Sequence, residues 1–79
     1  MDEVNPGQRW MHYKNPLREY EISGIARDSE NLEEKVIYRA LYAGEFPFGQ
    51  IWARPKSEFL GTVKVEGKEV NRFTRKVEN

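Results

Sequence analysis

The sequence predicts an all-β fold, a small barrel of five to six short antiparallel strands with one 3-10 turn before a C-terminal hairpin. Three observations carry that prediction. Apolar and polar residues alternate at period two in "EYEISGIA" and "KVIYRALYA", the mark of half-buried strands. Turn formers interrupt the chain at short intervals, in "NPG", "NPLR", "GEFPFG" and "EGK". Finally, 79 residues are too few for a sandwich of two full sheets, and a bent barrel is the economical way to enclose a core.

Taken in order, residues 1–7 form a flexible polar segment closed by a turn. "QRWMHYK", 8–14, is a first strand with Trp10 and His12 on one face and Met11 and Tyr13 on the other. "NPLR" is a turn, with Pro16 fixing the bend. In "EYEISGIA", 19–26, Tyr20, Ile22, Gly24 and Ala26 share one face, and Gly24 marks a bulge or a close crossing of backbones. "NLEE" has an Asn cap with a Glu after it and predicts one helical turn. "KVIYRALYA", 35–43, is the longest strand, with Val36, Tyr38, Ala40 and Tyr42 on one face. Its β-branched and aromatic residues favour strand over helix. "QIWAR", 50–54, is a short strand ended by Pro55. "KSEFLG", 56–61, suits one turn of 3-10 helix, with Phe59 as a plug for the core. "TVKVEGKEVNRF", 62–73, is a hairpin about Glu66-Gly67. The single domain therefore runs from 8 to 74, and residues 75–79 form a flexible tail.

Composition narrows the function. The 13 Lys and Arg balance 13 Asp and Glu, whereas strong nucleic-acid binders carry a basic excess. The charges still segregate, with an acidic run in 28–34 and a basic one in 68–76. There is no cysteine, so neither a disulfide nor a thiolate metal site is available. No stretch is long and apolar enough for a membrane helix, and residues 1–10 show no basic-then-apolar secretory pattern. Cytoplasmic residence, with no membrane contact, is expected.

The order strand, Pro, helical turn with an aromatic, then strand in "WARPKSEFLGTV" looks like the late segment of SH3-like barrels. A fuller resemblance spans residues 8–74. The chain shows His12-Tyr13-Lys14, a strand led by Tyr20, and a loop with Ser29, Glu30 and Glu33. Tyr38, Arg39, Leu41 and Tyr42 follow, then Trp52, Arg54 and Pro55, then Phe59. Gly67, Lys68, Val70, Arg72 and Phe73 close the series. This pattern resembles a bacterial family known only as domain of unknown function 1653. That family tends to carry Gly where this chain has Asn15, and His where it has Asp28. The resemblance implies a small β-domain and brings no activity with it.

Few residues point to catalysis. His12 is the one histidine, and no serine stands in a nucleophile elbow. "DSEN" lacks the glycine and closing Glu of a calcium loop. The glycines are isolated turn residues rather than a phosphate cradle. No cofactor and no metal are expected, and the chain is read as a non-enzyme.

The live constellation is aromatic and cationic. Trp10, His12, Tyr13, Tyr38, Arg39, Tyr42, Trp52, Arg54 and Arg72 are the candidate binding residues. A small barrel cannot enclose all of these rings, and arginines stack on those left at the surface. Trp52 and Arg54 share a face of their strand, with Ile51 and Ala53 on the other. If Trp52 points inward, Arg54 follows and needs a carboxylate such as Glu30 or Glu58. If outward, both are free to bind. The leading expectation is a recognition module for a peptide or protein partner, monomeric by default. A single-stranded RNA module is the alternative, with the basic 68–76 segment in its favour. A small-molecule or structural role is the remaining one.

Overall fold

A computed structural model of the chain describes residues 4–77. Residues 1–3 of the N-terminal segment and 78–79 of the tail lie outside the described residues. The strands are β1 (Arg9–His12), β2 (Asn15–Arg27), β3 (Glu34–Ala40), β4 (Ile51–Pro55), β5 (Thr62–Val65), β6 (Lys68–Asn71) and β7 (Phe73–Arg75). One helical turn, α1 (Lys56–Phe59), separates β4 from β5. An antiparallel sheet runs in the order β4-β3-β2-β1-β7, and β5-β6 form a separate hairpin. The fold is mostly β, as expected. The barrel is not closed, because the end strands β4 and β7 do not pair with each other. None of the described helices is long and apolar enough to cross a membrane.

The sheet curls about β2, a strand of 13 residues that serves as the middle of the sheet. Its register slips between Ile22 and Gly24, where Ser23 is the extra residue. A bulge of this kind bends a strand and turns its later side chains to the other face. Gly24 accordingly pairs with Ile37 and Ile25 with Val36. The single face expected for Tyr20, Ile22, Gly24 and Ala26 therefore breaks after Ile22.

Four other local expectations are corrected. "NPLR" is not the turn; Tyr13 and Lys14 turn, and Asn15–Arg18 already belong to β2. Pro16 is tolerated there because it lies in the part of β2 between the Asn15 and Glu19 pairings with β1, where no partner asks for its missing N–H. "NLEE" forms no helix. Asn31 Oδ1 accepts the Glu33 N–H at 2.8 Å, Leu32 takes φ 60°, and the Asp28 N–H reaches the Glu33 carbonyl at 2.8 Å. The side chain that could have capped a helix holds a loop instead. The 3-10 turn is an α turn, closed by the Leu60 N–H on the Lys56 carbonyl at 3.0 Å. Finally, the described residues form seven strands rather than five or six. The last hairpin ends at Arg72, whose N–H goes to the Gly61 carbonyl and whose carbonyl accepts the Tyr13 N–H, both at 3.0 Å. Phe73 then starts a new strand, and Arg75, the first residue of the expected tail, pairs with Trp10.

The core is aromatic. Phe59 from α1 is fully buried and stacks on Phe73, with ring centroids 4.1 Å apart and planes at 11°. Trp10 and Tyr38 meet Phe59 edge-on at 5.2 and 5.4 Å. Ile22, Val36, Ala40 and Val4 complete the buried set. Such pairs contribute about 0.5–1.5 kcal/mol each beyond area burial, which is how so short a chain sustains a core. The predicted hairpin forms with Glu66 and Gly67 both at positive φ, 51° and 80°, the signature of a type I′ turn.

Candidate functional site

On the inner side of the curled sheet, the aromatic core comes to the surface in a cleft of about 250 Å³. The end of β1 and the following turn supply His12 and Lys14; β2 supplies Asn15, Arg18 and Tyr20. Tyr38 from β3, Trp52 and Arg54 from β4, and Phe73 from β7 complete the lining. Alternation places these side chains together. Tyr20 pairs with Ala40, Tyr38 with Trp52 and Val36 with Arg54. Directly opposed residues share a face, so Trp52 and Arg54 lie on the inner face marked by buried Val36, Tyr38 and Ala40. Ile51, on the other face, is 63% exposed.

Arg54 turns inward, yet neither Glu30 nor Glu58 pairs with it. Its Nε donates to the Tyr38 hydroxyl at 3.4 Å, and its guanidinium lies 5.8 Å from the centre of the Phe73 ring. Arg18 lies 4.7 Å over the Tyr42 ring. Tyr42 and Tyr20 share a hydroxyl hydrogen bond of 2.6 Å. Burial, then that hydrogen bond, pushes the Tyr20 hydroxyl pKa up, so it stays protonated. Phe46 stands edge-on to Trp52 at 5.0 Å and backs the far wall. The "GEFPFG" loop therefore packs one of its two phenylalanines against a wall residue of the cleft, from an adjoining hollow.

His12 lies edge-on to Phe73 at 5.0 Å. Its Nδ1 accepts the Lys14 N–H at 3.2 Å, which leaves the proton of the neutral ring on Nε2. Burial lowers its pKa, and the charges of Arg54, Lys14 and Arg72 lower it further. The ring is therefore neutral at pH 7.

Among the described residues, the lining holds three permanent cations, Lys14, Arg18 and Arg54, and no carboxylate. Glu45 lines an adjoining hollow with Arg18, Tyr42 and Trp52, and three other carboxylates are paired away from the cleft. Glu21 holds Arg39 at 2.7 Å, Glu19 holds Lys76 at 3.0 Å and Asp28 meets Lys35 at 3.8 Å. The chemistry that results is donor-rich: ammonium, guanidinium and imidazole N–H groups above a bed of rings. Among the described residues, no three His, Asp or Glu converge as metal ligands.

Of the nine sequence candidates, the cleft gathers His12, Tyr38, Trp52 and Arg54. Trp10 is core, 2% exposed, with its indole N–H on Gln8 Oε1 at 3.1 Å, so it offers no surface. Tyr13 lies in a neighbouring hollow with Val65 and Val70, and Arg39 is on the opposite face with Glu21. Tyr42 supports Tyr20 and Arg18 from beside the cleft. Arg72 is near enough to His12 for its charge to bear on the ring, and its buried Nε has no hydrogen-bond partner among the described residues. Sequence reasoning missed Lys14, Asn15, Arg18, Tyr20 and Phe73. The period-two run of Arg18, Tyr20 and Ile22 is the signal that could have found the middle pair.

The two departures from the family pattern have local work. Asn15 Oδ1 accepts the Leu17 N–H at 3.0 Å at the mouth of the cleft. Asp28 Oδ1 accepts the Glu30 N–H at 2.8 Å and holds the loop after β2.

The family model described as "Protein of unknown function (DUF1653)" matches residues 8–75. The chain is also similar to a protein belonging to DUF1653 from Bordetella bronchiseptica, known from its crystal structure. The two are 30% identical with a TM-score of 0.69, over 90% of this chain and 85% of that one. A search of curated proteins finds no match. The motifs, the matched span and the shared fold agree, and the chain belongs to the DUF1653 family of proteins of unknown function.

Proposed function

We propose that this protein is a non-catalytic recognition module that binds a peptide segment of a partner protein in the inner cleft. One observation carries the reading: a neutral chain gathers three cations and four aromatic rings in one hollow with no carboxylate among them. Three like charges gathered in one hollow repel one another, and an anionic group relieves that repulsion while the rings beneath pack against an apolar part of the same ligand. His12 has no acid beside it in the cleft, so it lacks the positioned partner a general base uses. The meander that returns β7 to β1, entered through Pro55 and a helical turn, supports an SH3-like affinity for the fold. Modules of that kind read extended peptides through aromatic grooves.

Single-stranded RNA is the second reading, since bases also stack on aromatics beside cations. Two features weigh against it. The cations converge on one hollow rather than tracking a strand. In the basic C-terminal segment, Lys76 is held by Glu19 at 3.0 Å.

The test is an amide-shift titration of the labelled chain with acidic peptides and with mixed single-stranded RNA, at low and moderate salt. Peptide shifts confined to residues 12–20 and 52–54 support the proposal. RNA shifts spread over 68–76 and abolished by salt would replace it with the second reading.

A further inference from the structure

Resting on the recognition reading above, we infer that the ligand group is a phosphate monoester on an aromatic ring, presented by the partner as a phosphorylated tyrosine. Three properties of the cleft choose this chemistry. The first is charge. Lys14, Arg18 and Arg54 line one hollow with no acid among the described residues, while the charge of Arg72 also bears on His12. A carboxylate would neutralise one charge; a phosphate monoester brings about −1.5 to −2 and three acceptor oxygens.

The second property is hydrogen-bonding sense. His12 has already spent Nδ1 as an acceptor on the Lys14 N–H, so its Nε2 is left to donate. The Asn15 carbonyl oxygen is taken by Leu17, which leaves its amide N–H₂. Arg54 commits only Nε, in a long contact to Tyr38, and the forked end remains for bidentate pairing. Each of these groups offers hydrogens, and an oxyanion is the partner that accepts them all.

The third property is size and floor. The hollow of about 250 Å³ exceeds the roughly 150 Å³ that holds a benzene ring. It falls below the roughly 300–1,000 Å³ of sites for larger ligands. One ring with its oxyanion fits that interval. Half-buried Tyr20 and Trp52 wall the space above Tyr38 and Phe73, and Tyr20 already meets both of those floor rings edge-on, at 5.3 and 5.9 Å. A further ring joins that set in the same geometry.

The test uses the full chain, labelled for amide spectra. The probes are phenyl phosphate, inorganic phosphate, phenylacetate and a mononucleotide. Two acidic peptides of one sequence follow, with tyrosine or phosphotyrosine. Phenyl phosphate should shift the amides of residues 12–20 and 52–54, and bind at least about tenfold more tightly than phosphate or phenylacetate. The phosphotyrosine peptide should exceed its unmodified twin by at least about the same factor. Arg18→Gln and Arg54→Gln should each weaken phenyl phosphate about tenfold or more. Arg18 is exposed, so its variant folds even if the Arg54 variant does not.

Equal binding of inorganic phosphate overturns the inference in favour of a bare anion site. Equal binding of phenylacetate overturns it in favour of a carboxylate, and tighter binding of the mononucleotide in favour of a nucleotide. If both peptides bind the cleft equally, the phosphate inference fails and the recognition reading survives. If no probe and no peptide moves a cleft amide, both fail.

Discussion

The two faces of the five-stranded sheet carry similar residues and use them in opposite ways. On the outer face, Arg39 meets Glu21 at 2.7 Å across the β2–β3 ladder, and Lys76 meets Glu19 at 3.0 Å. On the inner face, Arg54 and Arg18 rest on Phe73 and Tyr42 rings, and no carboxylate lines the hollow they border. Period-two alternation produces the split: Glu19 and Glu21 point one way, Arg18 and Tyr20 the other. Net charge is a sum over both faces. A formal value of zero therefore coexists with one fully cationic cleft, and an argument from total charge against an anionic ligand loses its force.

The strongest way to break the comparison is to remove the floor on which the inner face is built. Phe59 is fully buried, stacked on Phe73 and edge-on to Trp10 and Tyr38. Phe59→Ala should cost about 3–5 kcal/mol, a large fraction of the stability of so small a domain. Urea unfolding measures it. A loss below about 1 kcal/mol would mean that the cleft does not depend on the plug beneath it.

A smaller effect separates the faces directly. Arg39→Gln breaks a half-exposed ion pair and should lower stability by about 0.2–1 kcal/mol. It should leave the His12 titration unchanged. Arg54→Gln removes a cation that meets no carboxylate among the described residues, so stability should stay within about 0.5 kcal/mol of the parent. The His12 pKa should rise, because Arg54 is the foremost charge holding it down. Urea midpoints and the imidazole proton signals of both variants check this. A larger loss from Arg54→Gln than from Arg39→Gln would contradict the assignment of paired and unpaired faces.

The sequence was most legible where one face of a strand is fully packed. Val36, Tyr38 and Ala40 alternate in the sequence and are all buried, and the Glu66-Gly67 turn follows from its own φ demands. Legibility failed at the cleft for a physical reason. In "IWARP" neither face is decided by hydrophobicity, because the inner side borders solvent. Ile51 ends up outside and Arg54 inside, the reverse of what transfer free energies favour. The first four residues of β2 were hidden by Asn15-Pro16, a strong turn signal that the structure spends at the start of a strand. That one misreading concealed Asn15, Arg18 and the lower wall of the site. Trp10 erred in the other direction: its surface assignment rested on counting rings, and the core took in more of them than its length implied.

The smallest effect measures the uncompensated charge without any ligand. In the folded protein, the His12 pKa lies below the ordinary 6.5, first from burial and then from Arg54, Lys14 and Arg72. As the pH falls through about 6.5 the unfolded chain takes up a proton, while the folded chain stays neutral at this position until a lower pH. The unfolded state therefore binds more protons in that window, and stability falls with falling pH until the folded imidazole protonates as well. Urea midpoints between pH 7.5 and 5 should show this decline. His12→Asn, which keeps an acceptor for the Lys14 N–H, should flatten it. Added salt should weaken the part owed to the three cations and leave the part owed to burial. A pH dependence unchanged by His12→Asn would place its origin in other groups. One that salt leaves untouched would mean that the inner cations are neutralised after all, and the contrast between the two faces would go with it.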